Sequence, residues 1–234
     1  MKTVLILGIC CQVDPWKDMM NTSMSTWDSI QIEGVDTIFY CGDPIKPNTD
    51  KVIYFPIKES YNTMGRKMLQ AFEWVLKNKK FDYIARINSS CFVDKKELIK
   101  YIQNLPESNV LSGLVVPAGS YKPWLWGGGQ FILSKDIVQK IVDNQLKWNH
   151  KLMEDQAISD VADQIGIPFL PGKACSIDKI SSDTWRYMPY GGNAPFNFTN
   201  WDDLKNVKEH FYRVKYDPDR SVDTYIMNQL FKIL

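Results

Sequence analysis

The sequence predicts an α/β domain with a mixed, mainly parallel sheet flanked by helices. Three observations carry that expectation. Val4–Ile9 is a continuous apolar run ending in small or polar residues, as in a parallel strand buried on both faces. Residues 63–78 form an amphipathic helix, with Met64, Met68, Leu69, Phe72, Val75 and Leu76 on one face and Lys77, Lys79 and Lys80 at its end. Strand-like and helix-like segments then alternate along the chain, the pattern of a sheet built from crossover units.

The elements follow in order. After the first strand, a helix is expected over residues 16–29. Asp36–Tyr40 reads as a strand stopped by Cys-Gly-Asp-Pro, and residues 51–55 as a third short strand. Tyr83–Ile87 reads as a strand ending at Asn88-Ser89-Ser90. Asp94 is placed to cap a helix over 95–104. Residues 110–116 form another strand. A glycine turn at 127–129 runs into a strand, with a helix from about Ser134 to Asp143 and a second over 154–165. Residues 168–175 are a short strand region. Residues 181–201, rich in aromatics, Gly, Pro and Asn, read as a long ordered loop. Alternation at 210–215 suggests a strand, and residues 222–234 a terminal helix.

Composition excludes several classes of function. The 234 residues suffice for one large domain with a substantial core, and 1–234 is read as a single unit. A net charge of +1 supplies no global field for nucleic acid. No apolar run reaches the length of a membrane span. The N-terminus resembles a short signal peptide but lacks a small-residue cleavage site, so a buried first strand is preferred. Five cysteines (Cys10, Cys11, Cys41, Cys91, Cys175) lack metal spacing and read as free thiols in a reducing compartment. Two histidines, His150 and His210, are too few for a histidine-based metal cage.

The chemistry concentrates in two segments. Trp124-Leu-Trp126-Gly127-Gly128-Gly129 places aromatic faces beside bare backbone, a floor on which a sugar can stack. Glu154-Asp155 puts two carboxylates at a helix start, where one can accept a hydroxyl proton. Asp155 is the first candidate base and Glu154 the second, since neighbours on a helix start point in different directions. Ligands of parallel sheets bind at the carboxyl ends of the strands. Cys10–Pro15 (with Cys11 and Gln12), Cys41–Asp43 and Asn88–Ser90 should therefore face one cleft. Further along, Arg213 and Lys215 share one face of the 210–215 strand and His210 the other. With Lys67, Arg66 and Arg86, these are candidates to grip phosphate oxygens. Trp185, Tyr187, Tyr190 and Trp201 are candidates for an acceptor lid.

In series, these segments resemble the β1,3-galactosyltransferase and Fringe group of glycosyltransferases. Glu59-Ser-Tyr-Asn-Thr-Met-Gly-Arg-Lys67 is similar to the group's D-S-Y-x-N-L-T-x-K, and Phe72-Glu-Trp-Val follows at the expected place. Ala85-Arg-Ile-Asn-Ser-Ser-Cys-Phe-Val93 falls where the group has K-x-D-D-D-x-F-V. Gly127-Gly-Gly-Gln-Phe-Ile-Leu-Ser134 resembles G-G-G-Y-V-L-S, and Glu154-Asp155 with Gly166-Ile167 resembles E-D-V…L-G-I. Met24-Ser-Thr-Trp27 echoes R-x-T-W without the arginines. The resemblance covers roughly residues 1–175.

The resemblance implies a GT-A-type (Rossmann-like) fold, with a nucleotide-binding half at 1–105 and an acceptor and catalytic half at 106–234. It implies transfer of a sugar from a nucleoside diphosphate donor, expected to be UDP-linked, to a glycan hydroxyl with inversion. Asp155 would be the base, and the glycine floor with Trp126 would hold sugar. Cys10–Gln12, Lys67 and Asn88–Ser90 would hold the nucleotide. The departure is central: the group's D-x-D binds a divalent metal, whereas Asn88, Ser89 and Ser90 offer only neutral oxygens, poor sole ligands for a hard dication. Manganese or magnesium is therefore not expected to be essential. The alternative from another class is a catalytically silent module that binds nucleotide sugars or carbohydrate. A nucleotidyltransferase is disfavoured because no Gly-rich, basic phosphate loop lies near the N-terminus. A cytoplasmic protein is expected, bacterial or, if viral, in host cytoplasm.

Overall fold

The structure, a computed structural model, describes residues 1–117, 122–190 and 194–234. The first part of the chain runs β1 (Val4–Ile9), α1 (Trp16–Ser25), β2 (Val35–Gly42), β3 (Val52–Phe55), α2 (Met64–Asn78), β4 (Tyr83–Ile87), β5 (Cys91–Val93) and α3 (Lys95–Gln103). Next come β6 (Leu111–Gly113), β7 (Val115–Val116), β8 (Trp124–Leu125), β9 (Gln130–Ser134), α4 (Lys135–Asp143) and α5 (Glu154–Gln164). The last part holds β10 (Leu170–Pro171), β11 (Ala174–Lys179), β12 (Trp185–Tyr190), β13 (Phe196–Phe198), β14 (Phe211–Arg213) and α6 (Ser221–Ile233).

Seven strands form the main sheet in the order β10-β6-β9-β4-β1-β2-β3. β1 lies inside it, parallel to both β2 and β4, and only β9 runs against its neighbours. The expected mixed, mainly parallel sheet flanked by helices is therefore the architecture. Burial of β1 on both faces explains its unbroken apolar run. Val4 and Ile6 enter one core with α6, while Leu5, Leu7 and Ile9 enter the other with α2, α4 and α5. The apolar stripe of α2 lies in this second core through Met68, Leu69, Phe72 and Val75. Asp94 caps α3 by accepting from the Lys96 and Glu97 backbone N–H groups.

A second sheet, ordered β13-β12-β11-β14-β5, grows from the strand that follows Asn88–Ser90. β14 pairs antiparallel with β5, setting Arg213 opposite Cys91, and Val214 N donates to Ser90 O at 3.0 Å. This pairing brings the C-terminal part of the chain to the end of β4.

Several elements differ from the sequence expectation: β5 was not expected, the strand region at 168–175 divides between β10 in the main sheet and β11 in the second, and three further boundaries move. The first helix stops at Ser25, because the Thr26 hydroxyl donates back to Thr22 O at 2.6 Å and the backbone leaves the helical region. The single strand expected at 110–116 divides after Gly113: β6 stays in the main sheet, while β7 pairs with β8. The expected loop at 181–201 contains β12 and β13; residues 191–193 lie outside the described residues. Its strands are set by pairing with β11, a partner that local composition does not reveal. Trp185 and Tyr187 are buried there rather than forming a lid.

His210 is buried beside the first core, the one that holds Val4 and α6, and stacks on Tyr101 with ring centroids 4.4 Å apart. Burial pushes its imidazole down to about 4, helped by the nearby Lys173 charge. Since the ordinary value is about 6.5, the unfolded chain binds more protons between those two values. Stability is full above about pH 6.5 and is lost as pH falls towards 4. Unfolding free energy from denaturant titration should be about 2 kcal/mol lower at pH 5 than at pH 7 from this group. His210→Phe, which keeps the ring stack, should remove that part of the slope; an unchanged slope would show that His210 is not buried neutral.

Candidate functional site

The carboxyl ends of β1 and β4, the glycine turn before β9, the start of α5 and the segment around β14 enclose a cleft of about 880 Å³. That volume lies within the range of small-molecule sites. One side is apolar and aromatic, with Ile9, Val13, Trp16, Tyr61 and Met64; another carries Arg213, Lys215 and Arg220.

The floor is built upward from a buried ion pair. Arg86, on β4, is fully buried and donates to Glu154 Oε1 at 2.5 Å and to Gly127 O at 2.8 Å. Its guanidinium also lies 5.2 Å from the Phe131 ring centroid on β9. Asn88 Nδ2 adds a second donor to Gly127 O, at 3.3 Å. One helix position further on, Asp155 turns into the cleft. Its Oδ2 accepts from Gly127 N at 3.0 Å, and its Oδ1 from Gln156 N at 2.8 Å. The two adjacent carboxylates thus divide: Glu154, buried at the edge of the cleft, is tied to Arg86, and Asp155 is half-buried within it.

The glycines are required by the protein's own packing. A Cβ on Gly127 would lie 2.7 Å from Asp155 Cβ, and one on Gly128 would lie 2.5 Å from the Trp126 indole. Asp155 and Trp126 pack against this bare backbone, and Gly127 and Gly128 still line the cleft. Trp126 and Tyr190, 5.4 Å apart, form the aromatic wall next to this floor.

Among the other expected residues, Cys10 and Cys11 line the cleft, and burial raises both thiols above their ordinary range. Lys67 reaches the cleft, but its ammonium already holds Cys10 O at 3.0 Å and Glu59 Oε2 at 2.7 Å. Asn88, Ser89 and Ser90 line it, as do Arg213 and Lys215. Lys215 is paired with Asp217 at 2.8 Å. Arg213 is 8% exposed, and among the described residues no carboxylate pairs with it; its Nη1 faces Cys91 Sγ at 3.7 Å.

Several expected residues lie elsewhere. Arg86 is enclosed under the floor. His210 faces the core on the other side of its strand. Gln12 is held by Lys46 at 2.6 Å and faces the Cys41 thiol. Cys41 is buried, and Asp43 accepts from Ile45 N and Lys46 N in its own turn, so 41–43 does not line the cleft. Trp124 pairs with Val116 in the β7–β8 ladder, and Gly129 backs onto Phe211 and Trp126; neither lines the cleft. Arg66 is exposed on α2.

Sequence reasoning missed Arg220, Ser176 and Asp178, which line the cleft. Arg220 donates to Ser90 Oγ at 2.5 Å and pairs with Asp223 at 2.7 Å. Its position just before a terminal helix carried no local signal.

No protein-family model matches this sequence, and no curated protein matches it. Solved structures do match in fold. A glycosyltransferase involved in the glycosylation of the major capsid of PBCV-1 aligns over 97% of this chain and 98% of its own, at 14% identity and a TM-score of 0.53. The glycosyltransferase GlyE of Streptococcus pneumoniae TIGR4 aligns over 74% of this chain and 45% of its own, at 10% identity and a TM-score of 0.44. A 4-diphosphocytidyl-2C-methyl-D-erythritol synthase of Anaerococcus prevotii DSM 20548 aligns over 73% and 86%, at 8% identity and a TM-score of 0.47. The near-complete overlap with the first of these makes the fold GT-A-like. No helix among the described residues is long and apolar enough to cross a membrane.

The division of the two carboxylates has a measurable consequence. Glu154→Gln leaves the Arg86 guanidinium buried without its counter-charge, so unfolding free energy should fall by about 3–5 kcal/mol. Asp155→Asn, on a half-buried side chain, should fall by no more than about 1 kcal/mol. Denaturant titration of the two variants checks this; equal losses would contradict the separate placements.

Proposed function

We propose that this protein is a glycosyltransferase that moves a sugar from a nucleoside diphosphate donor to a glycan hydroxyl. The observation that carries the reading is one cleft holding both a half-buried carboxylate, Asp155, and a buried guanidinium without a carboxylate partner, Arg213. A nucleotide sugar needs both: cationic donors for the diphosphate leaving group and a proton acceptor for the attacking hydroxyl. The GT-A-like fold and the sequence resemblance support the same assignment.

In this reading, residues 1–105 supply the nucleoside side through Ile9, Cys10, Cys11 and the exposed rings of Trp16 and Tyr61. Residues 106–234 supply the floor, the base and the phosphate-binding cations. The sugar lies against Trp126 and the 127–128 backbone. The acceptor oxygen loses its proton to Asp155 as it attacks the anomeric carbon. The glycosidic bond forms as the bond to the diphosphate oxygen breaks, inverting the centre in a single displacement. The two backbone bonds to Asp155 fix its rotamer and leave lone pairs for the acceptor hydroxyl. The donor is assigned as UDP-linked, and no divalent cation is assigned an essential role.

Sugar transfer to a panel of glycan acceptors, read by mass spectrometry with UDP-linked and other donors, tests the assignment. Asp155→Asn keeps the shape and removes the proton acceptor, so transfer should fall roughly 10²–10⁴-fold while donor affinity stays near wild type. Wild-type protein that transfers nothing yet binds glycan or nucleotide sugar, with or without Asp155→Asn, would instead identify a silent binding module.

A further inference from the structure

The position at which the resembling group carries its metal-binding carboxylates does not fit a dication here. Ser90 Oγ, buried at the end of β4, accepts a hydrogen bond from the Arg220 guanidinium at 2.5 Å. Asn88 Oδ1 accepts from Ser90 N and Ser89 Oγ within its own turn, both at 3.4 Å. A dication bound to these oxygens would have to displace a cation already there and would find no carboxylate in the tripeptide. Among the described residues, no cluster of three or more His, Cys, Asp or Glu side chains suits a metal ion.

We propose that Arg213 and Arg220 form the diphosphate site itself, a resident pair of guanidiniums standing where the resembling group places its metal. The proposal rests on the glycosyltransferase reading and adds the groups that receive the leaving phosphates. Charge matching supports it. Lys215 is matched by Asp217 at 2.8 Å, and Arg220 by Asp223 at 2.7 Å. Lys67 is matched by Glu59 at 2.7 Å. Arg213 is nearly buried and lines the cleft with Asp155 and Asp178, and among the described residues it forms no ion pair, its Nη1 meeting the Cys91 thiol at 3.7 Å. A guanidinium in that setting lacks strong acceptors for its five N–H donors, and a diphosphate supplies them. Arg220 is fixed by Ser90, Asp223 and Met19, and its Nη1, 3.7 Å from Asp217 Oδ1, is the least tightly held end of the fork. Phe211 and Cys175 explain why β14 carries Arg213 at this depth: the Cys175 thiol donates to Phe211 O at 2.9 Å, locking the strand next to β11.

Titration calorimetry with UDP, GDP and ADP, in EDTA and separately in manganese, tests the proposal. The best-bound nucleotide should bind with affinities that agree within about twofold in the two buffers. Arg213→Met should weaken it by about 10–100-fold, the loss expected for a charge-assisted phosphate contact. The matching nucleoside, which has no phosphate, should bind the variant and the wild type alike. Arg213→Met leaves no carboxylate unpaired, so its melting temperature should stay near wild type, and a folding defect would be visible there. Arg220→Met strands the buried Asp223, so Arg220→Lys serves as its partner variant: it keeps the charge but not the fork and should weaken the nucleotide by a smaller factor. Nucleotide binding that appears only with manganese would overturn the guanidinium site while leaving the transferase reading in place, to be judged by sugar transfer. Unchanged affinity in Arg213→Met and Arg220→Lys would also overturn it. Absence of nucleotide binding in both buffers would remove the site and the transferase reading together.

Discussion

Arg86 reaches from β4 beneath the glycine turn and joins three parts of the chain that are far apart in sequence. Its guanidinium binds Glu154 at the start of α5 and the carbonyl of Gly127, and its face rests over Phe131. A buried guanidinium is tolerable only with a counter-charge and with acceptors for its donors. Glu154 must therefore point inward, and helical geometry then sends Asp155 in a different direction. The same bond to Gly127 O fixes the turn whose N–H holds Asp155. The placement of the candidate base is thus a consequence of neutralising a charge in the core. Gly127 and Gly128 follow from it, since any Cβ there would strike Asp155 or Trp126.

A second constraint comes from the β5–β14 pairing. β5 starts directly after the Asn88–Ser90 turn, so a strand laid against it delivers its side chains to the carboxyl end of β4. Arg213 arrives through this register, and Arg220 through the turn that leads into α6. The cleft is therefore made by two sheets. The main sheet supplies the strand ends and the apolar wall. The smaller one supplies Ser176, Asp178, Tyr190 and the cations. The cationic side includes two guanidiniums beside Lys215, and guanidiniums suit planar, bidentate recognition of phosphate oxygens.

The individual side chains explain why sequence reasoning separated well into successes and corrections. Local periodicity identified β1, β4 and α2 because their burial depends on residues within a few positions. The Glu154-Asp155 pair was legible as an acidic helix start, and the order of preference within it followed from helix geometry. β12 and β13 were not legible as strands, because β12 takes its register from β11 and β13 from β12, and the Gly, Pro and Asn content of the sequence hides the alternation. Arg86 and His210 looked like ligand-binding residues in the sequence. The structure places one under the floor and the other in the smaller sheet's core, since a basic side chain beside an apolar run reads the same whether it is paired internally or faces a cleft.

By itself, the sequence determined the α/β class, the two-faced burial of the first strand, and a glycine turn preceding an acidic helix. These are properties of hydrophobic period and backbone permissiveness, which act over short distances. Tertiary structure alone decided which carboxylate is buried, which arginine lacks a carboxylate partner, and that Arg220 rather than a carboxylate meets Ser90. The contacts of Arg86 with Glu154, Arg213 with Cys91 and Arg220 with Ser90 all join segments more than forty residues apart. Charge compensation is settled by distance in space, and sequence spacing does not record it.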